Sequence, residues 1–252
     1  MSLAQEEVKH SYLIIPNEPK LYISTADRDI AQRTGATYVQ IRETFRRALV
    51  KELQQEFSKL GTSQILLADS GEVYADLKYT YYNIGYKYEP TPAEETMVKD
   101  FEKTKKFIEK VLPKKEEHVA EVKDEEVEHF MNTSIHNPNL LAYLNEKYGS
   151  TRFIFINQLD IKDEPKSAYD YGTGDLDRVV RVHFTIVDIN GNVISAGLAK
   201  KEFPAKYSTT QLIVSYTFPT IVKFISNKVV LFDTPEAPKT EEKKSDNNSG
   251  KM

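Results

Sequence analysis

One stretch limits the fold more than any other. Arg152 to Ile161 carries the uninterrupted apolar run Phe153-Ile154-Phe155-Ile156. Neighbouring side chains of a strand point to opposite faces, so such a run needs both faces buried. A strand of that kind sits inside a sheet with helices packed on it. The chain must therefore supply amphipathic helices, and it does. From about Gly35 to Leu60, the residues Tyr38, Ile41, Phe45, Leu49, Leu53, Phe57 and Leu60 recur at spacings of three and four. That spacing puts them on one helical face. Arg42, Arg46, Lys51, Gln54 and Gln55 fall largely outside the stripe, and Gly61 stands where a C-terminal cap is expected.

The remaining segments are read in the same way. Val8 to Ile15 is a first strand ended by Pro16, and Leu21-Tyr22-Ile23 continues it or begins another. Ala26 to Arg33 is polar and reads as loop; Gln64 to Ala68 reads as a short buried strand before a turn at Asp69-Ser70-Gly71. Val73 to Tyr88 holds six tyrosines and reads as extended, a strand or hairpin. Thr91-Pro92-Ala93-Glu94 offers an N-cap, a proline at the first helical position and a capping-box glutamate. Met97, Phe101, Ile108 and Val111 form the apolar face of that helix, which Pro113 ends. Lys114 to Glu128 is an exposed linker or helix, and Glu125 to Met131 reads as helical. Asn137-Pro138 starts a third helix, with Leu140, Leu141, Leu144 and Tyr148 inward and Gly149 at its end.

Lys162 to Asp177 is a polar loop. Val179 to Asp188 and Asn192 to Lys200 form a hairpin on Asn190-Gly191, a pair suited to the two positive φ angles of a type I′ turn. Ser208-Thr209-Thr210-Gln211 matches a capping box, so Ser208 to Val230 reads as a helix that Pro219 kinks or divides, with strand as the alternative. Residues 233–252 are almost all polar and read as a disordered tail. The expected fold is α/β. A mixed β-sheet has amphipathic helices packed on it, with a C-terminal β-hairpin followed by a helix. It forms one domain over residues 8–232, with 73–131 a tyrosine-rich and charged helical insertion.

Composition narrows the function. A formal net charge of −4 gives no basic face for nucleic acid. The absence of cysteine excludes disulfides, thiolate metal sites and a cysteine nucleophile. No window reaches the roughly 18–20 apolar residues that span a bilayer; Leu212 to Ile225 comes nearest and is interrupted by Lys223 and several hydroxyl residues. Met1-Ser2-Leu3 has the look of an added leader, and Ala4-Gln5-Glu6-Glu7 that of a polar start left by signal-peptide removal. The expected location is therefore periplasmic or secreted.

Three groups of residues are candidates for chemistry. If Glu116 to Met131 is one helix, His118, Glu121, Glu125 and His129 share a face and could hold zinc. Val119, Val127 and Phe130 lie roughly opposite, which makes that face equally the solvated one. Tyr79, Tyr81, Tyr82 and Tyr86 offer flat rings and hydroxyls suited to sugars or protein partners, or else cover the edge of a sheet. Gly172-Thr173-Gly174-Asp175 lacks the Lys-Ser/Thr of a phosphate loop, and Asp170, Asp175 and Asp177 match no calcium loop. There is no Gly-x-Ser-x-Gly elbow and no His-Glu-x-x-His, and no cofactor is expected.

The order of elements resembles a known family. Leu140-Leu141-Ala142-Tyr143-Leu144 precedes Phe153-Ile154-Phe155-Ile156, and Val187-Asp188-Ile189-Asn190-Gly191-Asn192-Val193-Ile194 then turns a hairpin before a closing helix. This is similar to the amino-terminal domain of the periplasmic protein TolB and to the related domain of curli-secretion and penicillin-binding-protein-activator lipoproteins. The resemblance spans Gln40 to Ser226. The stretch from Val73 to Met131 is longer than that family implies, and an N-terminal lipoprotein cysteine is missing. The resemblance implies a non-catalytic envelope protein that acts through contacts, an interaction or adaptor module with an envelope partner, and it carries over no functional residue. The alternatives are a ligand-binding module for glycan using the tyrosine segment, and a metal-dependent hydrolase.

Overall fold

Alternating burial in the first strand already implies two helical layers. Tyr12 and Ile14 join one hydrophobic cluster, while Leu13 and Ile15 join another. A computed structural model of the protein describes residues 10–91, 128–164 and 177–233. The elements follow as β1 (His10–Ile15), β2 (Tyr22–Ser24), α1 (Asp27–Thr34), α2 (Tyr38–Phe57), β3 (Gly61–Ile65), α3 (Gly71–Tyr82) and β4 (Ile84–Pro90). Then come β5 (His129–Ile135), α4 (Leu140–Tyr148), β6 (Arg152–Glu164), β7 (Asp177–Asp188), β8 (Val193–Pro204) and α5 (Thr210–Asp233).

The main sheet has the order β3-β1-β6-β7-β8, with β2 also on β6. β3, β1 and β6 run parallel, and β6, β7 and β8 are antiparallel. The fold is thus a mixed-sheet α/β fold that ends in a hairpin and a helix. β1 and β2 lie end to end along one edge of β6, pairing with Arg152–Phe155 and Leu159–Ile161. β4 and β5 form a separate antiparallel ribbon. Ile30 of α1, the apolar stripe of α2 and residues Ile213 to Val229 of α5 pack on Ile154, Ile156, Leu159 and Ile161. Leu77 of α3, Ile84 of β4 and the leucines of α4 pack on the opposite face, against Phe153 and Phe155.

Several expectations are corrected. Ala26 to Arg33 is not loop. α1 forms there with Asp27 and Asp29 favourably in its first turn, and Gly35 at φ 72° closes it. It buries one residue, Ile30, so no periodic stripe announces it. Gly61 does not cap α2, which ends at Phe57 with Ser58 as its C-cap; it opens β3, which runs Gly61–Ile65 rather than Gln64 to Ala68, beside β1, where an added Cβ would stand 2.0 Å from the His10 carbonyl oxygen. Tyr38 is 59% exposed rather than inward, and Arg46 is buried rather than outside the stripe.

Val73 to Tyr82 is helical, not extended. Tyrosine's strand preference yields there to the burial of Leu77, Asp76 and Thr80 on one helical face. His129 to Met131 belongs to β5 rather than to a helix. The β7–β8 turn is not type I′, because Gly191 (φ 83°) takes a positive φ and Asn190 does not. The Gly191 N–H donates to the Asp188 carbonyl (3.1 Å), and the Asp188 carboxylate accepts from Asn190 and Asn192. α5 is neither strand nor divided and runs unbroken through Pro219. Thr209, not Ser208, caps it, with the Leu212 N–H donating to Thr209 Oγ1 (3.3 Å). The helix expected from Thr91 and the tail after Asp233 lie outside the described residues.

Candidate functional site

A single extra residue in β6 creates the most distinctive polar surface of the protein. The β6–β7 register shifts between Ile156 and Gln158, so Asn157 is a bulge. Before it, even-numbered residues face α2 and α5; after it, odd-numbered Leu159 and Ile161 do. Gln158, Asp160 and Lys162 are thereby turned to the other face, beyond the area that α3 and α4 cover. On the same side β7 presents Arg181, His183 and Thr185, and β8 presents Leu198 and Lys200 opposite His183 and Arg181. β5 lies across β6, β7 and β8 on this side.

The ribbon is pinned by a closed polar network. Thr185 Oγ1 accepts from the Thr133 N–H (3.1 Å) and Asn157 Nδ2 (2.8 Å) and donates to Asn132 Oδ1 (2.7 Å). Asn157 Nδ2 also donates to the Met131 carbonyl (2.6 Å), and Asn157 Oδ1 accepts from Thr133 Oγ1. Every lone pair and proton of the Thr185 hydroxyl is used, which is what makes such a buried network stabilising.

Beside the ribbon the sheet is open. A depression of about 410 Å³ is lined by Tyr88, Glu128, His129, Gln158, Asp160, Lys162, Arg181, His183 and Leu198. Asp160 accepts from Gln158 Nε2 at Oδ1 (2.7 Å), and Lys162 Nζ lies 3.1 Å from its Oδ2. Burial pushes the Asp160 carboxyl up, but His183, Gln158 and Lys162 together outweigh that and hold it below the ordinary carboxylate range. Tyr88 donates to Gln158 Oε1 (2.7 Å) and sets its ring at 88° to the His183 ring, centroids 6.4 Å apart.

His183 is 4% exposed. Its Nδ1 accepts the Met131 N–H (2.9 Å), so the neutral ring carries its proton on Nε2. Nε2 has no hydrogen-bond partner and stands 3.6 Å from Asp160 Oδ2. Arg181 repeats the arrangement. NH2 donates to Glu164 Oε1 (2.9 Å), whereas Nε is unpartnered and 3.8 Å from Glu128 Oε1. Lys200 Nζ holds the other Glu128 oxygen at 3.0 Å.

The residues singled out from the sequence fall elsewhere. Tyr81 is turned inward; its hydroxyl donates to the Pro16 carbonyl and accepts from Arg46 NH2, both at 2.8 Å. The Tyr79 hydroxyl accepts from Asn137 Nδ2 (3.0 Å), and its ring packs edge-on against Tyr143. Tyr82 is exposed, and Tyr86 packs against the Leu13 cluster with its hydroxyl pushed up by burial. His129 sits on a strand at the rim of the depression, which removes the helical spacing that would have joined it to Glu125. His118, Glu121, Glu125 and the Gly172-Thr173-Gly174-Asp175 segment lie outside the described residues. Among the described residues no group of three metal-ligating side chains occurs. Nor is any helix among them long and apolar enough to cross a membrane.

The sequence does contain a signal for the depression. Asn157, Gln158 and Asp160 interrupt an apolar strand, and Arg181, His183 and Thr185 alternate with Val180, Val182 and Phe184. Two adjacent buried strands that both turn polar on one face mark a site rather than a core. No family model matches the chain, and comparison with curated proteins finds none similar to it in sequence.

Proposed function

We propose that this protein is a non-catalytic binding module of the cell envelope, and that it holds its ligand in the depression beside the β4–β5 ribbon. The observation that carries the reading is the fixed tautomer of His183. With Nδ1 occupied by a backbone N–H, Nε2 keeps its proton and faces Asp160 Oδ2 at 3.6 Å instead of taking a proton. Asp160 is ionised and already engaged by Gln158 and Lys162. The site is therefore arranged to recognise a polar group, not to run acid–base chemistry. Its volume falls in the range of small-ligand sites.

The envelope part rests on the family resemblance. The elements through which that resemblance was drawn, α4 then β6, the β7–β8 hairpin and α5, follow one another here in the same order. Two measurements test the reading. A thermal-shift panel of sugars, amino acids, carboxylates and phosphates should yield a compound that raises the Tm of the protein and leaves that of His183→Gln unmoved. Fractionation of cells expressing the native gene should place the protein in the envelope. Hits indifferent to His183→Gln would remove the site, and a cytosolic protein would remove the compartment.

A further inference from the structure

The two β7 side chains that dock the ribbon are chemically unlike. His183 and Thr185 stand two residues apart on β7, and Met131 and Thr133 stand two residues apart on β5. His183 Nδ1 accepts the Met131 N–H (2.9 Å), and Thr185 Oγ1 accepts the Thr133 N–H (3.1 Å). The ribbon is thus held to the main sheet through side-chain acceptors, since β5 pairs only with β4. A threonine hydroxyl does not titrate and keeps its acceptor. Imidazole changes charge between about pH 5 and 8. Once protonated, its ring has donors only.

The docked ribbon and a protonated His183 exclude one another. In the docked form Nε2 already carries a proton and the Nδ1 lone pair is engaged by Met131. A proton gained at Nδ1 would set N–H against N–H, so Met131 must leave. The surroundings accept the charged ring. From β6, Asp160 Oδ2 stands 3.6 Å from Nε2, and Lys162 lies against that carboxylate at 3.1 Å. On β7, Arg181 is paired with Glu164 and faces Glu128; on β8, Lys200 is held by Glu128. Each nearby cation is thus already matched by a carboxylate. Leu198 of β8 stands opposite His183, β4 brings the Tyr88 ring, and β5 brings His129 to the same depression. The released ribbon therefore binds more protons than the docked one, and docking is lost as pH falls through the histidine range.

We infer that His183 is a pH-sensitive latch on the β4–β5 ribbon. Its protonation releases Met131 and loosens residues 88–90 and 129–131, while Thr133, held by Thr185, stays as the hinge. Tyr88 and His129 line the depression from the ribbon side, so the latch sets how open the depression is. The inference goes beyond the binding reading and needs no ligand.

The test follows amide exchange by NMR in the full chain, without ligand, at about pH 7.5 and about pH 5.5, on either side of the histidine range. Rates are corrected for the intrinsic pH dependence of exchange. Protection at Met131 should fall about tenfold on acidification, the weight of one hydrogen bond, and protection at Thr133 should hold. His183→Asn keeps an acceptor oxygen near the place of Nδ1 and cannot be protonated, so its Met131 amide should be equally protected at both pH values. If that variant does not fold, NMR titration of the His183 ring nitrogens in the unsubstituted protein decides. Nδ1 should gain its proton in step with the loss of Met131 protection. The inference is overturned if Met131 protection is indifferent to pH, or if Thr133 is released with it. It is overturned equally if the ring is protonated while Met131 stays protected, or if His183→Asn loses as much protection, which would pass the role to His129. None of these outcomes bears on whether the depression holds a ligand.

Discussion

Asp76 shows how much depends on one carboxylate. It is 3% exposed between α3 and α4, where Tyr143 (2.6 Å) and Tyr148 (2.5 Å) donate to it and Lys147 lies 2.8 Å away. Burial raises its pKa, but the bonds from Lys147, Tyr143 and Tyr148 prevail and hold it below the ordinary value. The unfolded chain therefore binds more protons than the folded one in that interval. The resulting stability is complete above the unfolded pKa of about 3.9 and is lost as pH falls through the folded value. Asp76→Asn should cost about 2–3 kcal/mol at neutral pH and flatten the loss of stability below about pH 4, measured by urea titration at several pH values. Gly61 is a second such position. Gly61→Ala should cost about 1–3 kcal/mol or more, since the new Cβ meets the His10 carbonyl and not a side chain that can move. Neither role was legible in the sequence. A glycine needed for close backbone approach looks like a cap glycine, and Asp76 meets Tyr143 and Tyr148 across 67 and 72 residues that no local pattern connects.

Among the elements, those with long stripes were readable and those without were not. α2, α4, β6 and the β7–β8 hairpin follow from periodicity because each buries a full face. α1 and α3 were misread because each buries few apolar residues, and in α3 two of the three buried side chains are polar. The bulge at Asn157 was invisible for a different reason: before it the strand is apolar on both faces, so there is no parity against which the later alternation of Leu159 and Ile161 with Gln158 and Asp160 could show a shift. Its effect is large. Deleting Asn157 would turn Leu159 and Ile161 out of the α2–α5 core, and the deletion variant should fail to give a cooperative thermal transition. Asn157→Ala keeps the parity and should lose only about 1–3 kcal/mol from its hydrogen bonds. Pro219 tests the opposite sign. It is exposed and inside an unbroken helix, so Pro219→Ala should stabilise the protein by about 1–3 kcal/mol, seen as a higher urea midpoint.

For the whole molecule, the class of fold was legible and the place of the site was not. The doubly apolar run in β6 demands a covered central strand, and the sheet supplies one, flanked by β1 and β2 on one edge and β7 on the other. The depression draws on five strands spread along the chain: β4, β5, the far half of β6, β7 and β8. Only their assembly turns scattered polar residues into a surface. The same arrangement has a consequence for how the protein is made. Tyr12 pairs with Arg152, 140 residues later (152 − 12). At a ribosomal pace of about 5–20 residues per second, β1 waits roughly 7 to 30 seconds for the neighbour that covers it. During that time Leu13, Ile14 and Ile15 form a greasy edge with only β3 beside it. The nascent chain thus offers a window to a holding chaperone, one that closes when β6 emerges.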